Sequence, residues 1–201
     1  MNSNKPAQFG HQEVKLVAED TGYQGFFKLL RLQLQHKLFG GGWSKVMTRE
    51  LFERGHAAAV LPYDPVRDEV ILIEQFRVGA VYHDASPWLL EVVAGIIEEG
   101  ETAEEVVRRE AQEEAGLTLT KLTKISSYFP SPGGCSERIS LFVGEVDASQ
   151  APEYGGLADE NEDIRIHRVS REQAMQWMND GKLDNASTII ALQWLALTGA
   201  S

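Results

Sequence analysis

This 201-residue sequence predicts an α/β fold of the α+β kind, in which a mixed sheet lies between helices and a small antiparallel sheet precedes it at the N-terminus. Three observations predict it. Short apolar runs of strand character, separated by turn residues, fill most of the chain. One acidic helix lies near its middle, and two helical stretches close it. No internal repeat, low-complexity tract or long linker interrupts this order.

Residues 13–18 and 26–38 lean towards strands, the second with Leu30, Leu32 and Leu34 alternating against Arg31, Gln33 and Gln35. Gly40, Gly41 and Gly42 make a turn, and residues 45–52 read as a third strand. Three such strands bury little alone and need a partner surface. Residues 1–54 are therefore read as an N-terminal antiparallel segment, and 55–201 as the main domain. From His56 the pattern becomes short apolar strands, 56–61 and 69–76, joined by a turn over residues 63–68 that holds Asp64, Pro65 and Asp68. Residues 88–93 form a strand leading into an acidic loop.

The loop feeds a helix over residues 103–115. Thr102 and Glu105 have capping-box spacing, Val106, Val107 and Ala111 supply apolar positions, and Gly116 is placed to end it. Strands are expected at 121–128, 138–146 and 163–169. Ser170 and Gln173 open a further helix, and residues 185–197 form the last, with an apolar stripe of Ile189, Leu192, Trp194 and Leu195 assigned to the core.

Composition bounds the function. With 43% hydrophobic residues the chain can bury a full core, while a formal charge of −11 argues against gripping a nucleic-acid backbone. A phosphate substrate must instead be met by local arginines and metal. Cys135 is the only cysteine, so no intrachain disulfide forms and a reducing cytoplasm is the expected compartment. Residues 1–6 lack the apolar core of a signal peptide, and no apolar run is long enough to cross a membrane.

The stretch from Gly95 to Leu117 carries the chemistry. Glu110, Glu113 and Glu114 stand at i, i+3 and i+4, so their carboxylates share one helix face. Like charges so placed repel, and a hard cation such as Mg²⁺ or Mn²⁺ resolves the repulsion. A Glu-rich helix is ordinarily a solvated surface helix. Here the whole pattern counts: Gly, five residues, Glu, seven residues, Arg-Glu, an apolar residue, any residue, Glu-Glu, any residue, Gly, apolar. With average residue usage, seven fixed letters at fixed spacing match a given start on the order of once in 10⁸ by chance.

This pattern is similar to the Nudix box, without a departure, at Gly95, Glu101, Arg109, Glu110, Ala111, Glu113, Glu114, Gly116 and Leu117. Nudix enzymes hydrolyse a nucleoside diphosphate linked to another group. The resemblance implies an α/β/α sandwich with Glu110 and Glu114 as the main metal ligands and Glu113 close by. It also implies that Glu101 pairs with Arg109 to brace the loop against the helix. The chemistry agrees, because a diphosphate needs its charge neutralised and a water activated.

Substrate choice must be read outside the box. Residues 49–56, 131–137 and 156–163 resemble their counterparts in bacterial ADP-ribose pyrophosphatases, and Pro132 lies fifteen positions past Leu117, where that subfamily carries a marker proline. The resemblance extends over nearly the whole chain. It implies a homodimer whose subunits exchange their N-terminal sheets and share active sites. It places Arg49, Glu50, Arg54, Arg77 and Ile96 at the substrate, Ser131 and Glu137 at its riboses, and Phe26 and Phe27 near the adenine from the other subunit. Guanidinium groups fork onto phosphate and aromatic rings stack on bases. Two alternatives stay open: the phenylalanines could merely seal the dimer, and Arg54 could pair with Glu50 or another surface acid. Cys135 is assigned passive packing.

The resemblance further puts the catalytic base at Glu160 and a metal contact at Glu162, both in an acidic loop after Gly155-Gly156, and adds the Ala94 carbonyl as a ligand. Taken together, it implies hydrolysis of ADP-ribose to AMP and ribose 5-phosphate. The competing expectations are a Nudix hydrolase of another nucleotide derivative, such as an ADP-sugar, GDP-mannose or NADH, and an ADP-ribose sensor without catalysis. A structural dimer with no ligand leaves the clustered carboxylates unexplained.

Overall fold

The computed structural model describes residues 8–82 and 86–199. Residues 1–6, read above for a leader, lie outside that range. The chain divides into two compact units, the smaller being Met1–Gly55 together with Ser131–Glu137, the larger His56–Pro130 together with Arg138–Ser201.

The smaller unit is an antiparallel meander of β1 (Val14–Gln24), β2 (Lys28–His36) and β3 (Met47–Glu53). β1 runs six residues beyond the expected 13–18, through Thr21 and Gly22. Irregularities fall between Leu16 and Ala18 and between Thr21 and Tyr23, and pairing with β2 continues to Gln24 opposite Lys28. Every residue of β1 is solvent-exposed. Ser131–Glu137 attaches beside β3, where Phe52 N donates to Gly134 O at 2.8 Å and Ser136 Oγ to Glu53 Oε2 at 2.6 Å.

The larger unit is built on β4 (Ala57–Asp64) and β5 (Glu69–Phe76), an antiparallel hairpin whose strands pair only at Tyr63–Val70 and Asp64–Glu69. Beyond that point they diverge. The gap is filled by β6 (Trp88–Glu91), which pairs with β5, and β7 (Val93–Ile96), which pairs with β4. The single strand expected at 88–93 is thus two, divided at Val92 where the chain changes partner. The sheet continues through β8 (Leu122–Tyr128), β9 (Ile139–Glu145), β10 (Tyr154–Gly155) and β11 (Ile164–Ser170) in the order β10-β11-β5-β4-β9-β8. Only the β4–β9 pairing is parallel along this path, so the sheet is mixed.

Alternation along β4 sends its side chains into two cores. Ala58 and Val60 pack with Val106, Val107, Ala111 and Ala115 of α1 (Ala103–Ala115). On the other face Ala59 and Leu61 pack with Ala174 of α2 (Arg171–Asn179) and with Ala191, Leu192 and Leu195 of α3 (Ala186–Thr198). The result is an α/β/α sandwich. Within α3 the buried face is Thr188, Ala191, Leu192 and Leu195, with Trp194 partly buried against it; Ile189, expected in the stripe, lies outside this core. The helix is apolar nearly all round, so composition leaves its rotation open. A hydrogen bond from Val92 N to Thr188 Oγ1, 3.1 Å, ties one face to the sheet.

Candidate active site

α1 begins where its sequence says it should. Thr102 Oγ1 accepts from Glu105 N at 3.3 Å while Glu105 Oε2 accepts from Thr102 N at 2.8 Å. Gly116, with φ of 64°, ends it in the left-handed conformation. With the helix so bounded, Glu110 and Glu114 are directed to β7. A Cβ on Gly95 would overlap the Glu110 carboxylate, which is why a residue without a side chain is needed there. Glu114 is 2% exposed, and its Oε2 accepts from Ala94 N at 3.0 Å.

The loop before β11 reaches the same helix. Gly156 N donates to Glu113 O at 3.0 Å, and a Cβ on Gly155 would overlap the Glu114 carbonyl. These glycines permit a close backbone approach. Glu162 follows, its backbone N donating to Leu157 O at 3.1 Å. Glu160, at the end of a single 3₁₀ turn, is exposed.

Glu110, Glu114 and Glu162 lie close enough to feel one another's charge. Burial pushes the Glu114 carboxyl up to about 8, and the charges of Glu110 and Glu162 push the same way, against the Ala94 N–H and the charge of Arg77. Burial also raises Glu110, where Arg109 opposes and Glu113 and Glu162 reinforce. Arg109 grips Glu101 at 3.2 Å, Glu110 at 2.8 Å and Glu113 at 3.0 Å. Its guanidinium therefore serves the helix acids as well as the loop. Among the described residues no three acidic, histidine or cysteine side chains already converge on one point as a metal cage. The donor set nonetheless suits a hard cation: carboxylate oxygens, of which those of Glu110 and Glu114 are raised first by burial and then by neighbouring acids.

The remaining residues singled out in sequence divide between the units. In the larger one, Ile96 pairs with Ala57, and Arg77, just beyond β5, donates from Nε to Glu91 Oε2 at 2.6 Å. In the smaller one, the Arg54 guanidinium lies 5.0 Å over the Phe27 ring and 3.4 Å from Glu137, not against Glu50. Phe27 meets Phe26 and Phe52 edge-on, and Phe26 is 88% exposed. Arg49 and Glu50 are exposed on β3, Arg49 donating to Thr48 O at 2.8 Å. The Ser131 carbonyl accepts from Cys135 N at 3.0 Å, forming the turn that carries Glu137 back towards Arg54. The larger unit thus holds the acids and the smaller one an arginine-aromatic group.

Several buried polar residues, Glu91 and Gln75 among them, carry no mark in the sequence. Glu91 is 5% exposed and anchors Arg77; Gln75 is 7% exposed, and its Nε2 has no hydrogen-bond partner among the described residues. A polar letter in a short strand carries no sign of its partner, so no local signal could have found either.

An acidic helix capped in this way, packed on a mixed sheet and followed by an acidic loop, defines a class. The NUDIX domain matches residues 53–191, and the chain belongs to that family. It is 58% identical over 194 residues to the ADP-ribose pyrophosphatase of Escherichia coli strain K12, covering 96% of this chain and 93% of that one. To the ADP-ribose pyrophosphatase of Haemophilus influenzae it is 54% identical over 195 residues, covering 96% and 90%. A GDP-mannose pyrophosphatase of Cronobacter sakazakii is 38% identical over 154 residues, covering 75% and 78%. Among solved structures, an ADP compounds hydrolase superposes with a TM-score of 0.70 at 22% identity, over 96% of this chain and 100% of that one, which shows a common fold.

Proposed function

We propose that this protein hydrolyses the diphosphate of ADP-ribose to AMP and ribose 5-phosphate with the help of a divalent cation, Mg²⁺ or Mn²⁺. The observation that carries the proposal is likeness over 96% of the chain, at 54% to 58% identity, to ADP-ribose pyrophosphatases. Glu110, Glu114 and Glu162 hold the cation, with Glu113 close by and the Ala94 carbonyl as a further ligand. When bound, such an ion neutralises diphosphate charge and makes water more acidic. Glu160 accepts the proton as water attacks phosphorus; the bridging P–O bond breaks, and AMP and ribose 5-phosphate part. Its exposure supports this role, since a base must exchange its proton with solvent between turnovers.

Arg49, Arg54 and Arg77 meet the phosphates, Ser131 and Glu137 the riboses, and Phe26 and Phe27 the adenine, with Glu50 and Ile96 lining the pocket. Phe27 already carries the Arg54 guanidinium on its face, as a base-stacking aromatic does. Glu101 and Arg109 brace loop against helix. We further propose a homodimer with exchanged N-terminal sheets and shared active sites. Its support is the fully exposed β1 strand and the exposed Val14, Leu16, Val17, Tyr23 and Phe26. A cytoplasmic location suits the lone Cys135. No helix among the described residues is long and apolar enough to cross a membrane, and the charge of −11 speaks against nucleic acid as a partner.

The likeness to GDP-mannose pyrophosphatases makes substrate choice the point to test. Product formation is measured from ADP-ribose, ADP-glucose, GDP-mannose and NADH with Mg²⁺. ADP-ribose should give the highest kcat/KM; a lead for GDP-mannose would replace the substrate and keep the metal assignment, and binding without cleavage would make the protein a sensor.

A further inference from the structure

The hold on Arg77 is one-sided. Its Nε donates to Glu91 Oε2 at 2.6 Å, and among the described residues this is its only side-chain hydrogen bond. A structural arginine–carboxylate pair is commonly bidentate, using a terminal nitrogen as well. Among the described residues the terminal nitrogens have no hydrogen-bond partner, the side chain is 41% exposed, and its charge acts on Glu114 among the helix acids.

Glu91 is the fixed end of this pair. A buried carboxylate is costly unless both oxygens are engaged. The second oxygen, Oε1, accepts from Asn185 Nδ2 at 2.6 Å. Asn185 in turn caps α3, its Oδ1 accepting from Thr188 N at 3.3 Å, and Thr188 Oγ1 takes the hydrogen bond from Val92 N at 3.1 Å, where β6 gives way to β7. Glu91 thus belongs to a chain of hydrogen bonds joining β6, the β6–β7 break and the start of α3.

We propose that Glu91 is a positioning residue: anchored through Asn185 to the α3 N-terminus, it holds Arg77 by Nε so that both terminal nitrogens stay available to oxygens of the substrate diphosphate. The inference rests on the proposed hydrolysis of a nucleoside diphosphate derivative with Arg77 at the substrate. Holding a long, flexible side chain in its binding posture before substrate arrives lowers the ordering cost of binding.

The test is steady-state hydrolysis of ADP-ribose with saturating Mg²⁺ by the wild type, Glu91→Gln, Arg77→Ala and the double variant, with thermal unfolding of each. Glu91→Gln should raise KM by about tenfold and leave kcat within about threefold. In the Arg77→Ala background it should change KM by less than about twofold, because nothing is left to position. Should Glu91→Gln not fold, Glu91→Asp, which keeps the charge but withdraws it by one methylene, should raise KM in the same direction. An unchanged KM with only a lowered Tm, or an equal effect of Glu91→Gln in both backgrounds, would overturn the inference while leaving the activity standing. A wild type that does not cleave ADP-ribose overturns the proposed function itself, and an Arg77→Ala with wild-type KM removes Arg77 from the substrate; each also ends this inference.

Discussion

Glu114 shows how a single side chain can be expensive to keep and necessary to have. Its folded-state pKa lies near 8 against an ordinary 4.5, chiefly because it is buried. The sign follows: in metal-free protein the penalty begins as pH rises above 4.5, where the unfolded chain ionises, and is complete above about 8. The metal-free Tm should therefore fall across that window, and Mg²⁺ should restore it. Glu114→Gln should flatten the decline, abolish the Mg²⁺-induced rise and lower turnover at least about 100-fold; scanning calorimetry with and without chelator checks it. Glu160 makes the opposite case, since it is exposed and contributes little to packing. Glu160→Gln should leave Tm and ADP-ribose affinity near wild type while kcat falls about 10²- to 10⁴-fold, and an unchanged kcat would remove the residue from its role. The helix acids were legible because helical periodicity turns sequence spacing into a shared face. Glu91 was not, because its partners Arg77 and Asn185 are 14 and 94 residues away.

Elements fix where these side chains act, and they do so through close approaches. Gly95 on β7 lies against Glu110, so Gly95→Ala should displace that carboxylate, destabilise the fold by about 1–3 kcal/mol and lower activity more than its stability loss explains. Denaturant titration alongside turnover separates the two effects. The β4–β5 turn depends on Asp64: burial pushes its carboxyl up, but N–H donors from Ala148, Arg67 and Val66 and the Arg67 guanidinium outweigh that and hold it below 3.8. A depressed pKa gives stability that is present above 3.8 and lost as pH falls through the lower folded value. Asp64→Asn should cost about 1–3 kcal/mol at pH 7 and show less acid sensitivity below that point, as Tm against pH would show. The capping box of α1 and the turn between β4 and β5 were readable because their signals are local, although the turn occupies residues 65–68 and the strand keeps Tyr63 and Asp64. The break of residues 88–93 into two strands was not. It exists because β4 and β5 splay apart, a property of the sheet that one strand's letters do not hold. The two-residue β10, held by Tyr154–Arg165 and Gly155–Ile164 pairing, is too short to leave a periodic trace.

At the scale of the whole molecule, the layered α/β/α order was legible because apolar strands flanked by helices have few ways to bury both faces. The attachment of Ser131–Glu137 beside β3 was hidden, since it joins distant parts of the chain, as the Glu53–Ser136 hydrogen bond does at a separation of 83 residues. The proposed exchange of N-terminal sheets predicts complementation. Co-expressed Arg49→Ala and Glu160→Gln chains, each inactive alone, should recover roughly a quarter of wild-type activity, because half the dimers are mixed and each mixed dimer has one intact site. No recovery from a mixed dimer confirmed by mass spectrometry would contradict shared sites. The most direct test of the central claim is the release of AMP and ribose 5-phosphate from ADP-ribose by purified protein, with Mg²⁺ and again with excess chelator. Both products should form in equal amounts with Mg²⁺ and neither with chelator; cleavage that persists without metal, or intact ADP-ribose in its presence, would refute metal-dependent hydrolysis.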